Sequence, residues 1–264
     1  MEMEINMAIG SYEYIIDRHR LKTFIFGVGD YHSHLRIRPI IDYAKKGGFA
    51  NKNVLEIGCG RGLNAYELYF DSNCFQDENT YIGCDFNAND IERAQKIKEK
   101  YGIDKMTFVL GDAKNVIREK NIKDINSVML IDVLEHIESD EIFLKELNDL
   151  VKKDTTYVIS VPTKIYPQVF GWDFHRKIGH VRKGYTIEEL TELMKRIDKS
   201  LEYYSYNTGF IGGMGAKIFY NVLPKLGIPR IIREYLCLPF LLERRSTKFG
   251  ASLFAVFKQE NNEK

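Results

Sequence analysis

Cysteine is scarce in this chain. Cys59, Cys74, Cys84 and Cys237 are the only four, and no two form a C-x-x-C pair. That excludes a disulfide-stapled scaffold and a cysteine-based zinc site, and it leads us to expect a reduced, intracellular protein. Net charge is also small, formally +1. So there is no global electrostatic pull toward nucleic acid, and no nucleic-acid partner is expected. No uncharged apolar run approaches the roughly 20 residues needed to span a bilayer. The opening MEMEINMAIG carries acidic residues and no basic stretch, so no secretory signal is expected there. The expected location is cytoplasmic. Internal repeats and low-complexity tracts are absent from the sequence.

What is present reads as a globular α/β chain. It has 264 residues, 44% hydrophobic and 28% charged, enough for one large domain with additions. Residues 12–26 suggest a helix broken by Gly27, Gly29 and Asp30. Leu35 to Lys46 suggests a second, with Pro39 marking a kink or a later start. Short apolar strands are then expected at 53–57, 80–84, 106–110, 127–131 and 156–161. Helices are expected between them at 63–70, 89–101 and 140–151. Strands alternating with helices imply a doubly wound, mostly parallel sheet. Residues 163–185 show no clear periodicity. Thr186 and Glu189 form a capping-box signature for a helix through about Lys199. Strands at 201–206 and 252–257 close the pattern. The connection between them, 207–250, is far longer than a hairpin turn needs and is an insertion.

The most informative stretch is Asn53-Val-Leu-Glu-Ile-Gly-Cys-Gly-Arg-Gly62. A buried strand runs into a loop with glycines at alternate positions and then a helix. Such a loop brings bare backbone against a nucleoside-bearing ligand. A dinucleotide fingerprint would need its third glycine at Leu63, not Gly62, to open the helix to a pyrophosphate. Asp85 follows the second strand, where a carboxylate can accept both ribose hydroxyls. Asp112 follows the third strand and Asp132 the fourth. Each ends at the edge where open α/β sheets bind ligands.

VLEIGCGRG, with Ile131-Asp-Val-Leu-Glu-His-Ile137, closely resembles the motifs of class I S-adenosylmethionine (SAM)-dependent methyltransferases, in particular the type 11 branch. The resemblance covers residues 50–165 well and Tyr185 to Phe210 more loosely. It implies a Rossmann-like, seven-stranded sheet, mostly parallel with an antiparallel last strand. It implies SAM as cofactor, with Glu56, Gly58, Cys59, Gly60, Gly62, Asp85, Phe86, Asp112, Ala113 and Asp132 as its binding set. Glu56 would face the methionine amino group, Asp85 the ribose and Asp112 the adenine amine. The Asn/Asp-Pro-Pro-Tyr/Phe tetrapeptide that marks methylation of adenine or glutamine amides is missing after the fourth strand, which argues against those acceptors.

The acceptor side is less specific. His136, His175 and His180 are candidate catalytic groups, His136 first as a base for a hydroxyl acceptor. The bland reading is that His136 opens a helix and packs beside the cofactor. Asp132, Glu135 and His136 also resemble the Mg-binding Glu-x-x-Glu-His of some O-methyltransferases, one methylene short at the first position. That offers Mg as a second cofactor. Residues 163–185 carry Trp172, Asp173, His175, His180 and Tyr185 and are expected to overhang the acceptor.

The insertion mixes apolar residues with Lys217, Lys225, Arg230, Arg233, Arg244, Arg245 and Lys248. That suits a lid over a greasy substrate or a face lying on an anionic membrane, against the bland reading of an ordinary packing surface. The expected division is a helical cap over 1–50, a SAM-binding core over 51–206, a lid-like insertion over 207–250, and the last strand and tail over 251–264. The expected activity is methyl transfer to a small-molecule, lipid or lipid-linked glycan acceptor, with peripheral membrane contact through 207–250. The alternatives are a non-catalytic protein of this fold acting as a binding partner or membrane adaptor, and an NAD-dependent reductase.

Overall fold

The structure is a computed structural model and describes residues 31–72, 74–75, 79–119, 122, 124–166, 171–243 and 248–259. The expected helix at 12–26 and the cations Arg244 and Arg245 lie outside the described residues. Helix α1 (Tyr31–Lys45) precedes β1 (Asn53–Ile57), α2 (Leu63–Ser72), β2 (Thr80–Asp85) and α3 (Ala88–Tyr101). Then come β3 (Met106–Leu110), α4 (Ala113–Glu119), β4 (Ser127–Ile131), a 3-10 turn (Leu134–His136) and α5 (Asp140–Asn148). The second half holds β5 (Thr156–Pro162), α6 (Trp172–Lys177), α7 (Ile187–Lys195) and β6 (Lys199–Asn207). It ends with α8 (Phe210–Lys217), a π-turn (Ile218–Val222), α9 (Arg230–Cys237), a 3-10 turn (Leu238–Leu242) and β7 (Ser252–Gln259).

The strands form one seven-stranded sheet in the order β3-β2-β1-β4-β5-β7-β6. β1 through β5 are parallel, and β7 runs antiparallel to both β5 and β6. The expected sheet class is therefore present. The period of two along each strand feeds two cores. In β4, Met129 and Ile131 join Val54, Tyr66, Ile91 and Phe108 on one face. Val128 and Leu130 join Leu55, Leu144, Ile159 and Leu190 on the other. With both faces covered, all five residues of β4 are buried, and after Ser127 its sequence is an unbroken apolar run rather than an alternation.

Local signals explain the helix ends. The Asn87 side chain accepts from the backbone N–H of Asn89 and Asp90, and Gly102 closes α3 in the left-handed conformation at φ 62°. The capping box of Thr186 and Glu189 is formed in both directions at the start of α7.

Four expectations need correction. Pro39 does not mark a later start of α1, which begins at Tyr31 and runs through it. Residues 163–185 are not all loop, since α6 lies among them. Their short amphipathic turn is too brief to show a period. Helix α4 was not anticipated at all, and Asp112 starts it by accepting from the N–H of Lys114 and Asn115. Finally, α7 ends at Lys195 and β6 begins at Lys199, earlier than the sequence pattern suggested. Among the described residues no helix is long and apolar enough to cross a membrane.

The 207–250 segment builds a third, small core. Ala216, Phe219, Leu223 and Cys237 pack with Leu35 of α1. It is thus tied to the N-terminal helix rather than to the sheet faces.

Candidate active site

The loop after β1 is shaped by its glycines. Gly58 sits at φ 71°, and a Cβ there would lie 2.7 Å from Val133 Cγ2. Only glycine lets the loop after β4 approach so closely. Gly60, at φ 52°, has open space where a Cβ would be, whereas a side chain at Gly62 would strike Phe108 and Tyr66. Gly62 therefore serves core packing, and Gly58 and Gly60 shape the ligand edge.

Asp85 fastens that loop. Its Oδ2 accepts from Gly60 N–H at 2.8 Å and its Oδ1 from Asn87 N–H at 2.9 Å. Each oxygen keeps a lone pair for a further donor. Beside it lies a cleft of about 400 Å³ lined by Gly58, Asp85, Phe86, Asp112, Ala113, Asp132, Val133, His136 and Phe143, among others. Phe86 is 76% exposed, an unusual state for an aromatic side chain and one that offers a free ring face to a ligand.

Of the residues expected to bind the cofactor, the structure brings Gly58, Asp85, Phe86, Asp112, Ala113 and Asp132 to this cleft. Glu56, Cys59, Gly60 and Gly62 do not line it. Cys59 is buried in the core, and burial pushes its thiol pKa up.

Glu56 is fully buried beneath the loop. Asn64 Nδ2 donates to its Oε1 at 2.5 Å, and the Tyr81 hydroxyl donates to its Oε2. Gly83 stands opposite Glu56 in the sheet, and a Cβ there would lie 2.8 Å from the Tyr81 oxygen. The missing side chain is what lets Tyr81 reach. Desolvation raises the Glu56 pKa to about 7, against the lowering effect of those two hydrogen bonds.

The acceptor-side candidates also converge. The rings of His136 and His180 are 4.7 Å apart, and those of His175 and His180 are 4.8 Å apart. His136 is exposed, whereas His175 and His180 are buried. Desolvation lowers the His175 pKa and lowers that of His180 to about 4, so both are neutral at pH 7. Glu135 is buried beside them, and desolvation raises its pKa to about 7. Glu135, His136 and His180 bring one ligand atom each within 4.8 Å of one another. Asp132 instead pairs with Arg36 of α1. It also holds a left-handed φ of 57°, a conformation that Asp tolerates better than most residues.

Several contacts were invisible in the sequence. Arg36 reaches Asp132 from a helix almost a hundred residues earlier, and its guanidinium lies 5.9 Å from the Tyr166 ring centre. Tyr185 donates to Asp140 Oδ2 at 2.7 Å, while Arg182 donates to Asp140 at 2.6 Å and to the carbonyl of Ile137 at 2.6 Å. This network ties the segment carrying His180 to the loop carrying His136. Asn64 and Tyr81 carried no motif. Only the gap at Gly83 hints at them.

A family model described as a methyltransferase domain matches residues 49–223. No curated protein matches the chain. Among solved structures, the chain is similar to coclaurine N-methyltransferase bound to N-methylheliamine and SAH. The TM-score is 0.56 at 10% identity, over 84% of this chain and 72% of that one. It is similar to the plantazolicin methyltransferase BamL, in complex with a triazolic desmethylPZN analog and SAH. There the TM-score is 0.55 at 16% identity, over 94% of this chain and 89% of that one. It is also similar to the methyltransferase domain of bacterial-CtHen1-C, with a TM-score of 0.54 at 17% identity, over 86% and 98%. At these identities the likeness is one of fold.

Proposed function

The chain belongs to the methyltransferase-domain family, and from that premise we propose methyl transfer to a hydroxyl of a small-molecule or lipid-like acceptor. The enzyme is SAM-dependent. When bound, SAM supplies a sulfonium methyl already activated for in-line displacement. The observation that carries the acceptor reading is the convergence of His136, His180 and Glu135 beside a cleft rimmed by Asp85, Phe86, Asp112 and Asp132.

The residues present suit SAM. Asp85 has acceptor capacity left for ribose hydroxyls. Phe86 offers a ring face for the adenine, and Asp112 a carboxylate for its amine. Gly58 keeps the loop backbone bare. Glu56 lies below, and its burial favours the neutral form until a cation approaches. The methionine ammonium is such a cation, met directly or through water.

At the acceptor, His136 takes the hydroxyl proton at an imidazole nitrogen, with the His180 ring 4.7 Å from its own. Arg36 holds Asp132, and with it the loop that presents His136. The His180 ring, carried by the segment after β5, lies against His136. Isothermal titration with SAM tests the first half. Absence of heat would sink the enzyme reading and favour a non-catalytic adaptor. Turnover with labelled SAM on lipid and glycan extracts tests the second.

A second reading is favoured by one specific observation. Glu135 Oε2 is buried with no hydrogen-bond partner among the described residues. With two imidazoles beside it, that oxygen fits a divalent cation, which would polarise the acceptor hydroxyl. His180 takes the place we expected Asp132 to fill. A set with two nitrogens suits manganese or zinc better than magnesium. Turnover that survives EDTA unchanged would remove this reading.

A further inference from the structure

The segment between β6 and β7 turns apolar residues outward. Ten of the nineteen large apolar side chains exposed among the described residues lie in 207–250, a sixth of the chain, so the exposure is concentrated rather than scattered. The segment does not lack a core. Ala216, Phe219, Leu223 and Cys237 already fill its inner side with Leu35. Helix α9 is inverted for a surface helix: Glu234 is buried, 1% exposed, while Ile232, Tyr235 and Leu236 are exposed. In α8, Gly212, Gly213, Gly215 and Ala216 are buried, and Phe210, Ile211, Met214 and Lys217 are exposed.

Charge decides what such a surface fits. Among the described residues of the segment, the exposed charged ones are all lysines: Lys217, Lys225 and Lys248. Its two acids are withdrawn. Glu234 is buried with Arg230 Nε 3.6 Å away, and the Glu243 carboxylate accepts from Ile211 N–H at 2.9 Å and Gly212 N–H at 2.8 Å. Lys217 lines one hollow with Phe210, Met214 and Phe249, so cation and apolar groups sit side by side. A second copy docked here across a two-fold axis would bring lysines to lysines with no exposed acid to answer them. Protein interfaces are in general poor in lysine. An anionic lipid surface suits both halves of the pattern. Its acyl boundary takes the apolar side chains, and its headgroups take ammonium groups carried on flexible stems.

Topology places this surface. β7 runs antiparallel to both β5 and β6, so β6 is parallel to β5. The segment therefore leaves and rejoins the sheet at the edge that carries Asp85, Asp112 and Asp132. Helices α8 and α9 have eight residues each, far too few to span a bilayer but enough to lie on one.

We propose that 207–250 is a docking face for an anionic lipid bilayer. Its exposed apolar side chains enter the headgroup boundary, and Lys217 and Lys225 pair with lipid anions. This docking does not rest on the methyltransferase reading.

The full chain is sedimented with vesicles of phosphatidylcholine alone and of equal parts phosphatidylcholine and phosphatidylserine, at low and high salt. At low salt, binding to the mixed vesicles should be about tenfold or more the stronger, and it should fall as salt is added. Lys217→Gln with Lys225→Gln should weaken it about twentyfold, from about fivefold per lysine near the surface. Phe210→Asp with Leu226→Asp, at positions 75% and 67% exposed, should weaken it about tenfold or more. Thermal unfolding matched to the parent shows that each variant is folded. Analytical ultracentrifugation without vesicles follows the competing occupant. A dimer that the Phe210→Asp, Leu226→Asp variant breaks, with no sedimentation on vesicles, assigns the face to a second copy and overturns the proposal. Sedimentation that ignores phosphatidylserine, or that survives both double variants, overturns it too. So does a parent protein that stays in the supernatant throughout.

Discussion

Glu56→Gln should change how stability depends on pH. The buried carboxyl titrates at about 7 instead of its ordinary 4.5, because burial disfavours its charged form. In the folded protein it therefore holds its proton to higher pH than in the unfolded chain. Its contribution is fully present below pH 4.5 and is lost as pH rises toward 7. A shift of that size corresponds to about 3 kcal/mol. Glutamine does not titrate, so the variant should lack this slope. It loses part of the bonding to Asn64 and Tyr81, at a cost of about 1 kcal/mol. Without cofactor, the variant should be about 1 kcal/mol less stable than the parent at pH 4.5 and up to about 2 kcal/mol more stable at pH 8. Urea unfolding at pH 4.5, 6 and 8, at constant ionic strength, measures the difference. SAM should reverse the advantage at pH 8, since the variant has no charge to offer the ammonium. Parallel stability profiles for the two proteins would refute the reasoning, because they would mean Glu56 ionises freely in the fold.

Other substitutions probe the cleft and its neighbours. Asp85→Asn removes the charge that accepts from Gly60 and Asn87. SAM affinity by calorimetry should fall about tenfold to a hundredfold, the range for charged hydrogen bonds. Gly58→Ala places a methyl 2.7 Å from Val133 on a backbone at φ 71°. It should cost about 2 kcal/mol and lower the melting temperature by roughly 4–8 °C in a thermal scan. His180→Ala should abolish any stimulation by manganese or zinc, measured as turnover after EDTA treatment. Stimulation that persists would place the ion elsewhere. Anionic liposomes should sediment the protein at low salt but not at high salt if the 207–250 face meets a membrane, and a protein that stays in the supernatant at both would reject that contact.

The sheet was legible because each strand carries its own signal. β4 holds four consecutive apolar residues after Ser127, and its two faces enter separate cores, so no distant information is needed to recognise it. The glycine loop was legible for a similar reason. Gly58 and Asp85 act through backbone geometry at the ends of adjacent strands, and their positions follow from strand order alone. The 163–185 segment was only half legible. His175 and His180 drew attention by type, but nothing local told that their rings meet or that His180 meets His136 edge-on.

Sequence by itself determined the alternation of strands and helices, the glycine-bearing turn and the carboxylates at successive strand ends. These follow from periodicity and φ/ψ preference, which act over a few residues. Tertiary structure alone decided the rest. It set Arg36 on Asp132 and placed Tyr81 against Glu56 across the gap at Gly83. It chose His180 rather than Asp132 to complete the cluster with Glu135. Each of these contacts joins residues far apart in the chain. Their distances are fixed only when the sheet closes its order and both faces are covered.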